Sequence, residues 1–359
     1  MLTPPRLWDV FCHVIDNHGD LGVCARLARQ LAERGEQVRL WIDRAEDLAW
    51  LAPDLAAQAL PGVTWRPWAQ ASEPEVLDTL PPAEVWIEAF GCELPEAFMA
   101  HHAREPRWPA HWINLEYLSA EAAVTRLHGL PSPVQHGPAK GQCKHFFYPG
   151  FVPQTGGLLR ERDLPDPWSS EARAQWQSAQ GLGLAARRGV ASLFCYEPPG
   201  LAAGLEALGE AGFDLLVAPG RTAQALAGVA TPSGVAVHPM PWVSQAAYDA
   251  RLWGSDLNFV RGEDSLVRAL WAGQPFLWHL YPQSDHAHHA KLDAFLDWLE
   301  APPCLREAHQ LWNGCASGVW PALTPPRLAL WRACVQAARA RLQDQDDLVT
   351  QLQRWVGRV

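Results

Sequence analysis

Short apolar segments alternate with helical patterns along almost the whole chain. Residues 7–15 and 37–43 have the apolar character of strands, and residues 22–34 between them repeat apolar side chains at helical spacing. Further strands are predicted at 84–89, 111–115, 145–148, 190–196, 213–218, 234–238, 256–260 and 276–280, and further helices at 201–210, 222–227, 244–253 and 265–272. Strands separated by helices indicate parallel sheets with right-handed crossovers, so the chain is predicted to be an α/β protein.

Length and local composition predict two domains. A chain of 359 residues favours two domains over one. The segment 160–188 is polar and rich in Pro and Gly, which predicts an interdomain linker. We therefore expect Rossmann-like domains at 1–175 and 185–335, followed by a mostly helical tail. In doubly wound sheets, ligands bind beyond the carboxyl ends of the strands, where the strand order reverses.

Composition excludes several classes of protein. The net charge of −10 argues against general nucleic-acid binding, because such proteins carry a basic surface. No apolar segment approaches the roughly 20 residues of a membrane span, and the start of the chain has no secretory signal, so the expected compartment is the cytosol. The eight cysteines are scattered without a C-x-x-C pair, which predicts thiols rather than disulfides or a zinc site.

The first candidate site is the segment Asp16-Asn17-His18-Gly19-Asp20, between a predicted strand and a predicted helix. Two carboxylates four residues apart at a strand end suit a catalytic edge, and Gly19 permits a tight turn or a close ligand approach. A turn with a helix cap explains the same residues equally well. The segment lacks the G-x-G-x-x-G fingerprint of dinucleotide sites.

The second candidate site runs from Asn258 to Ser265, through Arg261 and Gly262 into a helix. The free amides and the dipole of a helix start favour a diphosphate, and Arg261 would add a charge-assisted hydrogen bond. Such a site needs no metal ion. The alternative is a capped helix with a surface ion pair.

Four other segments are weaker candidates. The run 279–283, which contains Tyr281, follows a buried strand, but packing explains it better than binding. The cluster His286, His288 and His289 invites a metal interpretation, yet it lacks the H-E-x-x-H pattern, so packing is again preferred. The segments 112–121 and 146–162 suit either a flexible lip of the site or a plain connector.

Five motifs resemble one known family. The segments are VIDNHGD at 14–20, WINLEYLSAE at 112–121, TGGLLRE at 155–161, NFVRGEDSLVRA at 258–269 and WHLYPQ at 278–283. In this order, and over nearly the whole chain, they resemble the EarP-type protein-arginine rhamnosyltransferases.

The resemblance implies a fold and a function. The implied fold is GT-B, with two facing Rossmann-like domains, parallel sheets and a cleft between them, and a last helix at 340–359 that joins the N-terminal domain. The implied reaction is an inverting, metal-independent transfer of L-rhamnose from dTDP-β-L-rhamnose to an arginine of translation elongation factor P. No resident cofactor, nucleic acid or membrane is implied.

The resemblance also implies roles for individual residues. Asp20, Asp16 and Glu263 match catalytic positions. The implied donor-binding positions are Asn17, Gly19, Phe194, Tyr196, Trp242, Gln245, Arg261, Asp264, Ser265 and Tyr281.

The sequence departs from the family pattern at four positions. Trp242 stands where Phe is common, His18 replaces Tyr, Leu266 replaces Phe and Leu270 replaces Gln. These changes affect the expected donor geometry but remove no carboxylate. Two alternatives remain open at this point: a GT-B or sugar-nucleotide enzyme with another donor or acceptor, and a non-catalytic nucleotide-sugar sensor that binds a translation factor.

Overall fold

The computed structural model describes residues 4–14, 18–104, 108–182, 189–283 and 287–357. The chain divides into two compact units, Met1–Arg162 with Gln345–Val359 and Asp163–Asp344. The described helices include none that is long and apolar enough to cross a membrane.

The first unit contains a seven-stranded sheet. Its strands are β1 Leu7–Cys12, β2 Gln37–Ile42, β3 Val63–Pro67, β4 Val85–Ala89, β5 His111–Leu115, β6 Pro131–Pro133 and β7 Cys143–Phe147. Its helices are α1 Gly19–Ala32, α2 Ala45–Leu51, α3 Pro53–Ala56, α4 Pro74–Leu77, α5 Glu96–Arg104, α6 Ala122–Leu127 and α15 Leu348–Gly357, with a 3-10 turn at Trp68–Ser72. The strand order is β3-β2-β1-β4-β5-β7-β6, and only β6 pairs antiparallel among the described strands. The order therefore reverses between β1 and β4, where doubly wound sheets bind ligands.

The boundaries around α1 differ from the sequence prediction. Strand β1 ends at Cys12 rather than at residue 15, and α1 begins at Gly19 rather than at residue 22. The apolar repeat that predicted the helix begins about one turn after the helix itself. The first turn contains Gly19 and Asp20, which do not belong to that repeat. Asp20 consequently lies in the first helical turn instead of in a loop.

The second unit contains a five-stranded parallel sheet. Its strands are β8 Gly189–Leu193, β9 Phe213–Val217, β10 Ala236–Pro239, β11 Leu257–Arg261 and β12 Phe276–His279. Its helices are α7 Ser170–Ala179, α8 Leu201–Ala211, α9 Arg221–Ala227, α10 Gln245–Gly254, α11 Gly262–Ala272, α12 Ala287–Leu299, α13 Pro303–Trp312 and α14 Pro325–Gln343. The order β10-β9-β8-β11-β12 reverses between β8 and β11. The predicted α/β class is thus confirmed in both units.

The segment 160–188 is not only a linker. Within it, Ser169 caps α7 by accepting a hydrogen bond from the Ala172 amide at 3.2 Å. Arg173 and Gln177 of α7 then bind the carboxylate of Asp256, at 3.1 and 3.0 Å. These contacts explain why residues 163–175, which the sequence assigned to the first domain, lie in the second unit.

Helix α11 starts three residues before the predicted position. Arg261 is extended at φ −132° and ψ 163°, and Gly262 has a φ of 64°. This left-handed conformation is costly for any residue with a side chain, so a Gly is required where strand β11 turns directly into the helix.

Candidate active site

Asp20 lies at the carboxyl edge of the first sheet, next to the reversal of strand order. Its side chain belongs to the first turn of α1, where the helix dipole stabilises a negative charge. Only 4% of the residue is exposed. The fold therefore holds this carboxylate at one position rather than leaving it on a mobile surface.

A second carboxylate, which the sequence analysis missed, lies at the same edge. Asp43 follows β2, accepts a hydrogen bond from the Val14 amide at 3.1 Å and lies 3.1 Å from Nδ1 of His13. The pKa of the buried Cys12 thiol is raised by a hydrogen bond with Cys24, by burial and by the charges of Cys24, Asp20 and Asp43. Asp20 and Asp43 thus lie near the same thiol at this edge of the sheet. The sequence feature that could have identified Asp43 is an acidic residue directly after a predicted strand.

His18 retains an aromatic ring where the family pattern has Tyr. Its ring packs edge-on against Trp50, with centroids 4.9 Å apart. Its Nδ1 lies 3.3 Å from Asp47, which also binds Arg44 at 3.1 Å. The ring is therefore anchored on α2.

The remaining residues of this segment are placed only in part. Asp16 and Asn17 lie outside the described residues. Gly19 is the first residue of α1, has no positive φ, and a Cβ added there would meet nothing within 4 Å. The backbone at Gly19 therefore does not require a glycine, and the open space around its Cα is compatible with a close ligand approach.

Phe90 marks the other side of the strand reversal. This residue follows β4 with a φ of 59°, which is strained for an aromatic residue. Its amide donates to the Leu115 carbonyl at 2.7 Å, and its ring stacks on Tyr117 at 4.8 Å. Nothing in the sequence indicated this strain, since it results from contacts with the following strand.

Arg261 is the central cation of the second unit. It is 6% exposed, and its guanidinium carbon lies 4.3 Å from the Phe194 ring centroid and 4.6 Å from that of Tyr196. Nη1 donates to the Cys195 carbonyl at 3.0 Å. Since Arg261 occupies the N-cap position of α11, a buried positive charge lies near the positive end of a helix dipole. This combination favours an anion.

Tyr196 is held by a neutral histidine. Its amide donates to Nδ1 of His279 at 3.2 Å, and burial lowers the pKa of His279 to about 3. The Tyr281 ring, which is 53% exposed, packs edge-on against Tyr196 at 5.3 Å. The predicted donor-binding residues Phe194, Tyr196, Arg261 and Tyr281 are therefore brought together.

The start of α11 carries the remaining polar candidates. Glu263 and Asp264 lie in its first turn, and Ser265 is buried. The Glu263 carboxylate accepts a hydrogen bond from Lys291 at 2.8 Å, which is the ion pair that the sequence left as an alternative. The Gly262 carbonyl accepts from Trp278 Nε1 at 2.9 Å, so the turn into α11 is fixed.

Trp242 and Gln245 lie where the chain passes from β10 into α10. Trp242 is 43% exposed, and a Cβ added at Gly220 would lie 3.3 Å from its ring. Gln245 begins α10, which Ser244 caps by accepting from the Ala247 amide at 3.3 Å. The lack of a side chain at Gly220 lets its backbone approach the indole ring closely, while the ring stays partly exposed.

An arginine and a glutamate that the sequence analysis missed lie on the other side of Tyr196. Arg221 donates to Glu197 through Nε at 3.0 Å and also through Nη2, and it lowers the pKa of that carboxyl. Its guanidinium carbon lies 4.9 Å from the Tyr196 ring centroid. Two guanidinium groups thus contact one tyrosine.

The segment 155–157 has a structural role. A Cβ at Gly156 would lie 2.4 Å from Phe147, and one at Gly157 would lie 2.5 Å from the Asp346 carbonyl. Gln351 of α15 donates to the Thr155 carbonyl at 2.9 Å. These contacts overturn the flexible-lip interpretation and show an anchor for the returning helix.

The histidine cluster is described only in part, because residue 286 lies outside the described residues. His288 is buried and accepts a hydrogen bond from the Gln283 amide at 3.2 Å. Within the described ranges, no group of three or more His, Cys, Asp or Glu side chains is arranged to hold a metal ion. His288 therefore has an evident packing role.

Solved structures share this architecture. A structure described as the basis for EarP-mediated arginine glycosylation of translation elongation factor EF-P matches with a TM-score of 0.63 and 30% identity, covering 98% of this chain and 99% of that one. Arabidopsis thaliana UGT89C1 complexed with UDP-L-rhamnose matches with a TM-score of 0.55 and 11% identity over 99% of both chains, which shows the fold alone. The architecture is that of the GT-B glycosyltransferases.

Sequence comparison gives the same result at higher identity. The protein-arginine rhamnosyltransferase of Pseudomonas putida is 45% identical over 312 residues, which cover 80% of each chain. A family model described as elongation factor P (EF-P) rhamnosyltransferase EarP matches residues 8–357. The chain therefore belongs to the EarP family of elongation factor P rhamnosyltransferases.

Proposed function

We propose that this protein transfers L-rhamnose from dTDP-β-L-rhamnose to an arginine side chain of translation elongation factor P, with inversion at the anomeric carbon. The observation that carries the proposal is the family match over residues 8–357, in a chain that keeps Asp20 buried at a helix start. The proposed acceptor is a translation factor, so the proposed compartment is the cytosol.

Arg261 and α11 are the proposed site of the donor diphosphate. The guanidinium is stacked between two rings and oriented by the Cys195 carbonyl, so little side-chain freedom is lost on binding. The first-turn amides of α11 would donate to phosphate oxygens beside it. Ser265 is the proposed hydroxyl donor, and the exposed Trp242 ring is proposed to stack on the thymine base.

Asp20 is the proposed catalytic carboxylate. A guanidinium has a pKa above about 12 and a free Asp has one near 4, so the carboxylate cannot remove the proton before the reaction. Asp20 instead pairs with the guanidinium and orients it, with Asp16 or Glu263 as the proposed second carboxylate. The developing positive charge makes the proton acidic only as the new bond forms.

The proposed transfer is a single displacement. The acceptor nitrogen forms a bond to the anomeric carbon while the bond from that carbon to the diphosphate oxygen breaks. The nitrogen's proton passes to Asp20, and the electron pair of the broken bond remains on dTDP. Arg261 and the α11 dipole stabilise this leaving group.

The proposal includes transfer without a metal ion, because Arg261 and helix amides supply the positive charge that a cation would otherwise supply. We expect excess EDTA to leave the transfer rate within about twofold of that of the untreated protein, a margin of under ~0.5 kcal/mol. The measurement is the initial rate with and without chelator. A loss that Mg²⁺ or Mn²⁺ restores would contradict this part of the proposal.

The function is tested by intact mass of elongation factor P after incubation with this protein and dTDP-β-L-rhamnose. We expect a gain of one deoxyhexose, and no gain when the acceptor arginine is changed to lysine. dTDP-glucose is the matched donor control. Binding of dTDP-rhamnose without any transfer would favour a nucleotide-sugar sensor, and transfer from another donor would favour a different glycosyltransferase.

A further inference from the structure

A second arginine contacts the ring that Arg261 contacts. Tyr196 follows β8, which lies between β9 and β11 in the sheet. Arg261 reaches the ring from the β11 side at 4.6 Å, and Arg221 follows β9 and reaches it at 4.9 Å. The Arg221 guanidinium also lies 6.0 Å from the Tyr281 ring. The Arg221 guanidinium therefore lies beside the same aromatic rings as the Arg261 guanidinium.

The pair of Arg221 and Glu197 has two hydrogen bonds but is open to water. The side chains of Arg221 and Glu197 are 34% and 54% exposed, whereas Arg261 is nearly buried. Exposed ion pairs contribute little because water screens both charges. A diphosphate carries more charge than one carboxylate and offers oxygens to both N–H edges of a guanidinium. Exchange of Glu197 for a diphosphate is therefore favourable.

We propose that Arg221 is a second phosphate-binding arginine, which Glu197 holds in place when no nucleotide is bound and which turns to the donor diphosphate on binding. The inference rests on the proposed function only for the ligand class, a nucleoside diphosphate sugar. Both guanidinium groups lie within 5 Å of the Tyr196 ring centroid, so a diphosphate held at this ring would be attracted by two positive charges. Tyr196 and Tyr281 provide the stacking surface along which the Arg221 side chain moves.

The test compares the binding of dTDP and thymidine by calorimetry. Arg221→Met keeps the length and the apolar stem of the side chain and removes its charge. We expect this variant to bind dTDP about 10- to 100-fold more weakly, the range for losing charge-assisted hydrogen bonds, and to bind thymidine as the wild type does. Glu197→Gln is expected to bind dTDP as tightly as the wild type or more tightly, because the competing carboxylate is removed.

Arg306→Met is the matched control. Arg306 also forms an exposed ion pair in the second unit, with Asp297, and its side chain is 29% exposed. We expect its dTDP affinity to remain within about twofold of that of the wild type, or ~0.4 kcal/mol. Equal losses of dTDP and thymidine affinity in Arg221→Met would show that Arg221 only supports Tyr196. Unchanged dTDP affinity in that variant would also overturn the inference.

Failure of the donor assignment is distinguishable from failure of this inference. The same titrations are made with UDP and GDP. If the wild type prefers one of them, the proposed donor is wrong, and Arg221 is judged by the loss of affinity for that nucleotide. If the wild type binds none of the three, both proposals fail.

Discussion

At the residue scale, the two central side chains differ in setting. Asp20 is a buried anion at the start of α1, and Arg261 is a buried cation at the start of α11. The helix dipole stabilises the first and destabilises the second. The start of α11 therefore places a buried positive charge where the helix dipole is also positive.

Asp20→Asn is expected to abolish most of the transfer while the donor still binds. The amide keeps the size of the side chain but accepts no proton, so we expect a loss of about 100-fold or more, as for removal of a general base. The measurements are the rate of deoxyhexose addition to elongation factor P and the calorimetric affinity for dTDP. Transfer at the wild-type rate would remove Asp20 from the mechanism.

Buried histidines in the second unit predict acid sensitivity. Burial lowers the pKa of His309 to about 4 and that of His279 to about 3, from an ordinary value of 6.5. Between these folded values and pH 6.5, the unfolded chain binds more protons than the folded chain. The free energy of unfolding is therefore fully maintained above pH 6.5 and decreases as the pH falls, by at most ~1.4 kcal/mol per pH unit for each histidine.

His309→Asn tests this relation. Nδ1 of His309 donates to the Leu305 carbonyl at 3.0 Å, and an Asn amide can donate there without titrating. Urea unfolding between pH 5 and pH 7 is expected to show a shallower pH dependence in the variant than in the wild type. Parallel pH dependences would mean that His309 is not held neutral by burial.

At the element scale, the turn at 155–157 fixes where α15 returns. Gly157 has a φ of 71° and adjoins the Asp346 carbonyl, and Gln351 of α15 binds the Thr155 carbonyl. Arg34 of the first unit pairs with Asp347 at 2.7 Å just before α15. Polar contacts at the start of α15 thus fix the position of the helix, in addition to the packing of its apolar face.

Gly157→Ala is expected to destabilise the first unit more than Gly141→Ala does. Both glycines have positive φ values, 71° and 91°, so both variants incur backbone strain of about 1–2 kcal/mol. Only at Gly157 would the new Cβ collide with backbone, at 2.5 Å, whereas nothing lies within 4 Å at Gly141. We expect the collision to add roughly 1–3 kcal/mol. Equal free energies of unfolding for the two variants would contradict this prediction. They would show that the backbone near Asp346 shifts to accommodate the new Cβ at little cost.

At the scale of the whole molecule, the first unit is built from both ends of the chain. The second unit, Asp163–Asp344, is continuous, while the first includes Gln345–Val359. Leu348, Val349 and Leu352 of α15 lie in the core with β1 and α1. The first unit therefore depends on contacts between segments that the whole second unit separates in sequence.

Removal of residues 345–359 is expected to unfold the first unit and spare the second. Four buried apolar residues of α15 are lost, Leu348, Val349, Leu352 and Val356. At about 1.5–3 kcal/mol each, this is comparable with the roughly 5–15 kcal/mol that stabilise a domain. In the truncated protein, hydrogen exchange should show lost protection of the strands of the first unit, β1 to β7. Binding of dTDP should persist, and transfer of the sugar should disappear.

Arg354→Ala is the control for this truncation, because the Arg354 side chain is 53% exposed. We expect it to leave the exchange pattern of the first unit unchanged. If the truncated protein keeps full protection in the first unit, the core contribution of α15 is small and the prediction is wrong.

The sequence by itself determined the class of the protein and the elements that carry the chemistry. Apolar periodicity is local, so β9, β11 and β12 were predicted within one residue of their observed bounds and β8 within three, in line with the usual uncertainty at element ends. The strand-to-helix turns before Asp20 and at Gly262 were recognisable because turn residues and acidic helix starts occur as contiguous motifs.

Only the tertiary structure decided which distant residues meet. Arg221 contacts Tyr196 because β9 and β8 are neighbours, and Asp43 acts on Cys12 because β2 and β1 are neighbours. α15 closes the core of the first unit across more than three hundred residues of chain. Strand order and long-range packing depend on the energy of the whole fold, and no local pattern of side chains encodes them.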